Sequence, residues 1–183
     1  MKLNLGCGDQ RLPGFINVDM YGDPDVTWNL EKTPWPWEDS SVSEVVMSHV
    51  MEHLGATTDR YFAIIQELYR ICKPDAAIGI NVPHPRHDNY INDPTHVRPI
   101  TPDGLALFSR ARNEEWVRMG IPNTPLALQI GVDFEVESFK YALDDPWLTM
   151  VSRGELDHHG MLEAERKYNN VVSVIEIVWR VRK

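Results

Sequence analysis

Cysteine is scarce in this sequence. Its 183 residues include only two, Cys7 and Cys72, and these form neither a C-x-x-C pair nor part of a Cys/His finger pattern. Two such residues cannot supply the disulfide framework of a small secreted domain. We therefore expect a protein of a reducing compartment, with the cytoplasm as the simplest localisation.

Basic residues and long apolar runs are scarce as well. The chain has 18 Lys and Arg against 27 Asp and Glu, which gives a formal net charge of −9. Phosphate backbones and anionic membrane surfaces attract Lys and Arg, so we expect neither nucleic acid nor a membrane as partner, but a small-molecule substrate. No apolar run reaches the roughly 18 residues of a membrane span, and residues 1–20 lack the pattern of a signal peptide.

The apolar pattern predicts one α/β domain covering residues 1–183. Strands are expected at 2–5, 15–20, 26–30, 42–48, 76–82, 132–143 and 171–183, and helices from about Thr57 to Cys72 and near 102–112. A strand, a helix and a buried strand in that order indicate a parallel sheet. We expect the last two strands to pair as an antiparallel C-terminal hairpin at one edge, and the segment around His158 and His159 to be an exposed loop.

A glycine-containing loop, L-N-L-G-C-G at residues 3–8, follows the first strand. Ligands of parallel sheets bind beyond the carboxyl ends of the strands. A dinucleotide site requires G-x-G-x-x-G and an acid about 20 residues further on. Here Arg11 stands in place of the third glycine, Asp19 comes early, and no Lys-Ser/Thr pair follows as in a P-loop. A cofactor loop of another kind and a plain tight turn remain open.

An ordered set of motifs extends this loop through residues 3–83. It consists of L-N-L-G-C-G, N-V-D-M, W-N-L-E-K-T-P-W-P-W-E-D-S-S and V-V-M-S-H-V-M-E-H-L. In this order the motifs resemble the class I S-adenosylmethionine (SAM) dependent methyltransferases, in particular small bacterial members of the methyltransferase type 11 group. The resemblance implies a Rossmann-like fold, SAM as cofactor and transfer of its methyl group.

The resemblance also implies roles for individual residues. Asp19 would accept hydrogen bonds from the ribose hydroxyls, a role that suits a carboxylate. The residues implied to bind the cofactor are Gly6, Cys7, Gly8, Asp19, Met20, Asn29, Leu30 and Ser48.

The sequence departs from the family pattern at three points. Asn4 and Asn29 replace two acids, and only Asp9 to Phe15 is available for the usual helix between the first two strands. A crossover needs about ten or more residues, so we expect Asp9 to Phe15 to be a loop that leaves the cofactor pocket more open.

Histidines cluster after the fifth strand, in H-P-R-H-D at 84–88 and D-P-T-H-V-R-P at 93–99. This segment can bind substrate, transfer protons, hold a divalent metal or form a solvated loop. We take 83–131 as a cover on the acceptor side. The candidate catalytic residues are His49, His84 and His96, and the candidate substrate-binding residues are Arg86, Asp93 and Arg98.

Three further interpretations remain open. H-V-M-E-H at 49–53 matches the H-x-x-E-H signature of a zinc protease class, but His49 directly follows a strand, which disfavours it. A SAM-binding or S-adenosylhomocysteine (SAH) binding module without catalysis is the main alternative to an enzyme, and a metal-dependent enzyme using the His-rich segment is a second. An exposed edge strand at 171–183 and the shortened cofactor wall favour a homodimer.

Overall fold

The computed structural model describes residues 1–183 and contains one seven-stranded sheet of order β3-β2-β1-β4-β5-β7-β6. The strands are β1 Lys2–Leu5, β2 Ile16–Asp19, β3 Val26–Thr27, β4 Val42–Ser48, β5 Cys72–Pro83, β6 Phe134–Leu143 and β7 Val172–Val181. The helices are α1 Thr58–Ile71, α2 Asp88–Ile91, α3 Pro102–Ala106, α4 Arg110–Met119, α5 Leu126–Ile130, α6 Trp147–Ser152 and α7 His158–Lys167.

The sheet is parallel except for β7, which is antiparallel to both of its neighbours. This confirms the predicted fold class, including the antiparallel pairing of the last two strands. The prediction that 171–183 is an exposed edge strand is wrong, because β7 lies between β5 and β6 and β6 forms the edge. The apolar β7 residues Ile175, Ile177 and Trp179 are buried, as suits an internal strand. The argument for a homodimer from that edge therefore fails.

Helix α1 links β4 to β5 and covers one face of the sheet. Thr57 caps its N-terminus by accepting a hydrogen bond from Arg60 N, which satisfies one of the free amides of the first turn. The apolar positions that predicted this helix are all buried: Tyr61, Ile64, Ile65, Leu68 and Ile71.

Of the strand expected at 26–30 only Val26–Thr27 forms, and two other predicted segments differ from the structure. The single helix expected near 102–112 is instead α3 and α4, because the chain turns after Ala106 and Ser109 caps a new helix by accepting from Arg112 N. The segment at His158 and His159 is the first turn of α7, where the side chain of Asp157 accepts from Gly160 N. In both cases a capping side chain starts a helix within a polar stretch.

The segment Asp9 to Phe15 contains no helix, as predicted. Two buried amides hold this loop in place. Asn4 Nδ2 donates to Gln10 O at 2.8 Å and to Asn17 Oδ1 at 2.9 Å, and Asn17 Oδ1 also accepts from Leu12 N at 2.8 Å. Hydrogen bonds from β1 and β2 to the loop thus take the place of helix packing at this side of the sheet.

A cluster of 30 buried residues forms the main core, with Trp35 and Trp37 packed into it. Phe134 stacks on Trp179 at a centroid distance of 3.9 Å, which joins β6 and β7 within the core. No helix has both the length and the apolar character needed to cross a membrane.

Candidate active site

A cavity of about 350 Å³ opens at the carboxyl ends of β1, β2 and β4. Its size falls in the range of small-molecule sites, roughly 300–1,000 Å³. The residues that line it are Gly6, Asp19, Met20, Tyr21, Trp28, Asn29, Leu30, Glu31, His49, Val50, His53 and Leu54.

The carboxylate of Asp19 is held in a fixed orientation at the end of β2. Its Oδ2 accepts from Gly8 N at 2.8 Å and its Oδ1 accepts from Tyr21 N at 2.9 Å. A carboxylate has about four lone-pair sites, so each oxygen keeps acceptor capacity for a ligand. Asp19 is therefore a preorganised acceptor that borders the cavity.

Gly6 brings the loop backbone close to the floor of the cavity. Its φ is +67°, and an added Cβ would overlap Val50 Cγ2 and lie 2.9 Å from Val50 Cγ1. Gly6 N donates to Val18 O at 2.8 Å, which fixes the turn to β2. Only glycine satisfies both the left-handed conformation and the close approach to Val50.

His49 begins the loop after β4 with a φ of 55°, a left-handed conformation that is uncommon outside glycine. Its N–H donates to Asn81 O at 2.8 Å, and its exposed ring faces the cavity. The Nδ1 atom lies 3.5 Å from Oε1 of the buried Glu52, and this carboxylate raises the pKa of His49. In this left-handed conformation the imidazole of His49 lines the cavity.

Solved structures with the same architecture cover nearly the whole chain. A SAM-dependent methyltransferase from Archaeoglobus fulgidus is 19% identical with a TM-score of 0.59, and the match covers 98% of this chain and 85% of that one. The 1,6-didemethyltoxoflavin-N1-methyltransferase of Burkholderia thailandensis, with bound 1,6-didemethyltoxoflavin and SAH, is 12% identical with a TM-score of 0.55, covering 100% and 71%. A SAM-dependent methyltransferase from Methanosarcina mazei is 13% identical with a TM-score of 0.53, covering 99% and 92%.

The chain has the Rossmann-like methyltransferase fold. No protein-family model matches it, and no curated protein matches its sequence. At these identities the likeness concerns the fold, and the site has to be judged on its own residues.

Within the methyltransferase fold, five of the residues implied to bind the cofactor line the cavity: Gly6, Asp19, Met20, Asn29 and Leu30. Gly8 contributes through its amide bond to Asp19. Cys7 is buried, and burial raises the pKa of its thiol. Ser48 is exposed and lies outside the lining of the cavity.

Of the candidate catalytic residues, only His49 lines the cavity. His96 lies behind His53, with ring centroids 4.6 Å apart. His84 is buried at the end of β5, with Nε2 3.4 Å from Glu165 Oε1. Burial lowers the pKa of His84. The structure therefore brings two of the three predicted histidines to one side of the cavity and leaves His84 apart.

The candidate substrate-binding residues are spread over different surroundings. Arg86 donates to Glu165 O at 3.1 Å and to Arg166 O at 2.7 Å, near the end of α7. Arg98 donates to Gly55 O at 3.0 Å and lies over the ring of Tyr61. Asp93 Oδ2 lies 3.7 Å from His96 Nε2. Only Asp93 and Arg98 thus belong to the segment that packs beside the cavity.

Several lining residues were not predicted from the sequence: Tyr21, Trp28, Glu31, Val50, His53 and Leu54. Each is adjacent in the chain to a predicted residue or lies within V-M-E-H-L. The signal that could have identified them is their position in the chain, next to the predicted residues at the carboxyl ends of β2, β3 and β4.

Proposed function

We propose that this protein transfers a methyl group from SAM to a small-molecule or saccharide-type acceptor. The observation that carries the proposal is the carboxylate of Asp19, held at the carboxyl end of β2 by two backbone amides and bordering the cavity. The motif set of residues 3–83 supports placing the chain with the type 11 group. The buried free thiols Cys7 and Cys72 suit a cytoplasmic protein.

The residues around the cavity have the chemistry that SAM requires. Asp19 would accept from the two ribose hydroxyls, and the apolar surfaces of Met20, Tyr21 and Leu30 would pack against adenine. Gly6 would let the amino-acid end approach the loop backbone. When bound, SAM supplies a methyl group that is already activated by its sulfonium.

We assign proton acceptance from the acceptor hydroxyl to His49, because it is the predicted catalytic residue that lines the cavity. The segment 93–98 would form the acceptor side. Val97 N donates to Glu52 O at 2.8 Å, and Thr95 Oγ1 lies 3.0 Å from His53 Nδ1. Within the predicted cover of 83–131, we therefore propose that only the segment that packs on Met51–His53 contacts the acceptor.

Binding of SAH tests the cofactor assignment. We expect the wild-type chain to bind SAH in isothermal titration calorimetry and Asp19→Ala to lose binding, because the ribose acceptor is removed. Asp23→Ala is the matched control, since Asp23 is an exposed acid outside the cavity lining. Absence of binding by the folded wild-type chain, or equal binding by Asp19→Ala, would contradict the proposal.

Turnover separates an enzyme from a binding module. SAH release would be followed over a panel of hydroxylated metabolites and saccharides. His49→Gln should lose turnover and keep SAH binding, because it removes the proton acceptor and leaves Asp19 in place. SAH binding by the wild-type chain without methyl transfer to any acceptor would instead favour the non-catalytic module.

A further inference from the structure

We propose that Glu52, His53 and His96 bind one divalent transition-metal ion beside the cavity. The inference rests on the side chains of this chain and does not depend on methyl transfer. The three residues come from two separate segments, the 3₁₀ helix Met51–His53 and the loop after α2. One ligand atom from each residue lies within 4.8 Å of those of the other two.

Backbone contacts fix the two segments against each other. Val97 N and Arg98 N both donate to Glu52 O, at 2.8 and 3.3 Å. The ring centroids of His53 and His96 lie 4.6 Å apart, and Tyr90 stacks on His96 at a centroid distance of 5.1 Å. Backbone hydrogen bonds therefore hold the three side chains together, although the two segments that carry them are far apart in the sequence.

The carboxylate of Glu52 is the observation that points to a cation. Glu52 is 1% exposed, and neither of its oxygens has a hydrogen-bond partner. The one basic nitrogen within 4.0 Å is His49 Nδ1, at 3.5 Å. Arg98 donates through Nη2 to Gly55 O, and its buried Nε has no hydrogen-bond partner and lies beyond 4.0 Å from the carboxylate. A buried carboxylate without partners is costly, and coordination to a metal ion removes that cost.

The hydrogen bonds of the two histidines leave a lone pair on each ring. His96 Nδ1 lies 2.8 Å from Tyr90 O, a carbonyl that can only accept, so Nδ1 carries the proton. Thr95 Oγ1 donates to Asp93 Oδ1 at 2.6 Å, so it accepts from His53 Nδ1 at 3.0 Å. When the two rings are neutral, both Nε2 atoms are therefore unprotonated. Metal-binding histidines usually have this arrangement, in which one ring nitrogen donates to a neighbouring oxygen and the other binds the metal.

Two imidazoles and one carboxylate suit zinc, iron, cobalt or nickel better than calcium or magnesium, which prefer all-oxygen sites. Three protein ligands leave a position open for a water or substrate oxygen. His53 also lines the cavity, so an ion bound to its ring would lie beside that cavity.

Metal titration of the untagged full chain tests the proposal. Zn²⁺ binding would be measured by calorimetry in competition with a chelator, and Co²⁺ binding by its visible absorption bands. We expect one equivalent of either ion and a rise in the melting temperature of the wild-type chain, because the ion binds the native state. SAH would be absent, so the result is independent of the cofactor assignment.

Variants locate the site. His96→Ala and Glu52→Gln should each weaken Zn²⁺ binding by more than the roughly 10–100-fold that loss of an outer partner costs. Thr95→Val, which removes the partner of His53 Nδ1, should weaken it by about 10–100-fold. His159→Ala is the control, since it removes an exposed histidine of α7 and should leave binding unchanged.

Circular dichroism of each variant would verify that it folds. If Glu52→Gln does not fold, Zn²⁺ binding by His96→Ala and by Thr95→Val still tests the site. The proposal is overturned if the wild-type chain shows no saturable Zn²⁺ or Co²⁺ binding. It is equally overturned where the folded variants of His96 and Thr95 bind Zn²⁺ as tightly as wild type.

Discussion

Asn4 Nδ2 donates a 2.9 Å hydrogen bond to Asn17 Oδ1, between the neighbouring strands β1 and β2. Asn17 Nδ2 in turn donates to Asp25 Oδ2 at 2.8 Å. Both amides are buried, with 3% and 4% of their surfaces exposed. An amide therefore suits position 4, because this side chain has to donate to two oxygens.

Asn4→Asp should therefore destabilise the fold. A carboxylate at position 4 would face Gln10 O and Asn17 Oδ1, two acceptors, and we expect a loss of at least about 1–3 kcal/mol at pH 7, measured by urea unfolding. The buried acid would have a raised pKa, so the loss should be full above that pKa and shrink as pH falls toward about 4. Asn123→Asp, at an exposed position, should cost little; an equal loss there would contradict this account.

Gly6→Ala should destabilise the chain more than Gly14→Ala. Both positions have positive φ, of 67° and 80°, but only at Gly6 would the new Cβ overlap Val50, whereas nothing lies within 4 Å at Gly14. The left-handed conformation costs about 1–2 kcal/mol at each site, and the overlap adds to it at Gly6. Thermal unfolding would measure the loss of stability in each variant. Adding Val50→Ala to Gly6→Ala should reduce the extra loss at Gly6, because it removes the overlapping side chain. Equal losses at the two glycines would refute the role of Val50.

Tyr21→Ala should weaken SAH binding without lowering stability. Tyr21 lines the cavity but is 73% exposed, so it contributes little to the core. Loss of stacking on a base costs about 1–3 kcal/mol, which corresponds to roughly a 5- to 150-fold weaker dissociation constant by calorimetry. Tyr21→Phe keeps the ring and should bind like wild type. Unchanged affinity in Tyr21→Ala would place the adenine elsewhere.

Glu67→Gln should destabilise the chain in a pH-dependent way. Glu67 accepts from Arg70 Nε and Nη2, each at 2.8 Å, and from Trp35 N. Arg70, together with that amide, holds the pKa of Glu67 below its usual range. A lowered folded pKa gives stability that is present above the unfolded pKa, about 4.3, and is lost as pH falls through the folded pKa.

We therefore expect a loss of about 1–3 kcal/mol in Glu67→Gln at pH 7, measured by urea unfolding, and a smaller difference from wild type below about pH 4. Glu114→Gln, at an exposed position of α4, is the matched control. A difference from wild type that stays constant from pH 7 to pH 3 would exclude the ion pair as its source.

Most strands and helix α1 were predictable because their signals are local, whereas most of the short helices after β5 were not predicted. The 3–4 spacing from Tyr61 to Ile71 predicted α1, and L-N-L-G-C-G with Asp19 predicted the loop and the acid that border the cavity. The seven residues from Asp9 to Phe15 include Pro13 and Gly14, which is too short and too broken a stretch for a helix. These features follow from the chain over short distances.

Other features were decided only by tertiary contacts. β7 lies between β5 and β6 because it forms hydrogen bonds with both strands. Its apolar sequence pattern is compatible with an internal or an edge position and does not identify these neighbours. The meeting of Glu52 and His53 with His96 likewise depends on the loop after α2 folding back on Met51–His53. Sequence by itself determined most strands, helix α1 and the acid that borders the cavity. Long-range packing decided which polar side chains share a site, because it brings together residues that are far apart in the chain.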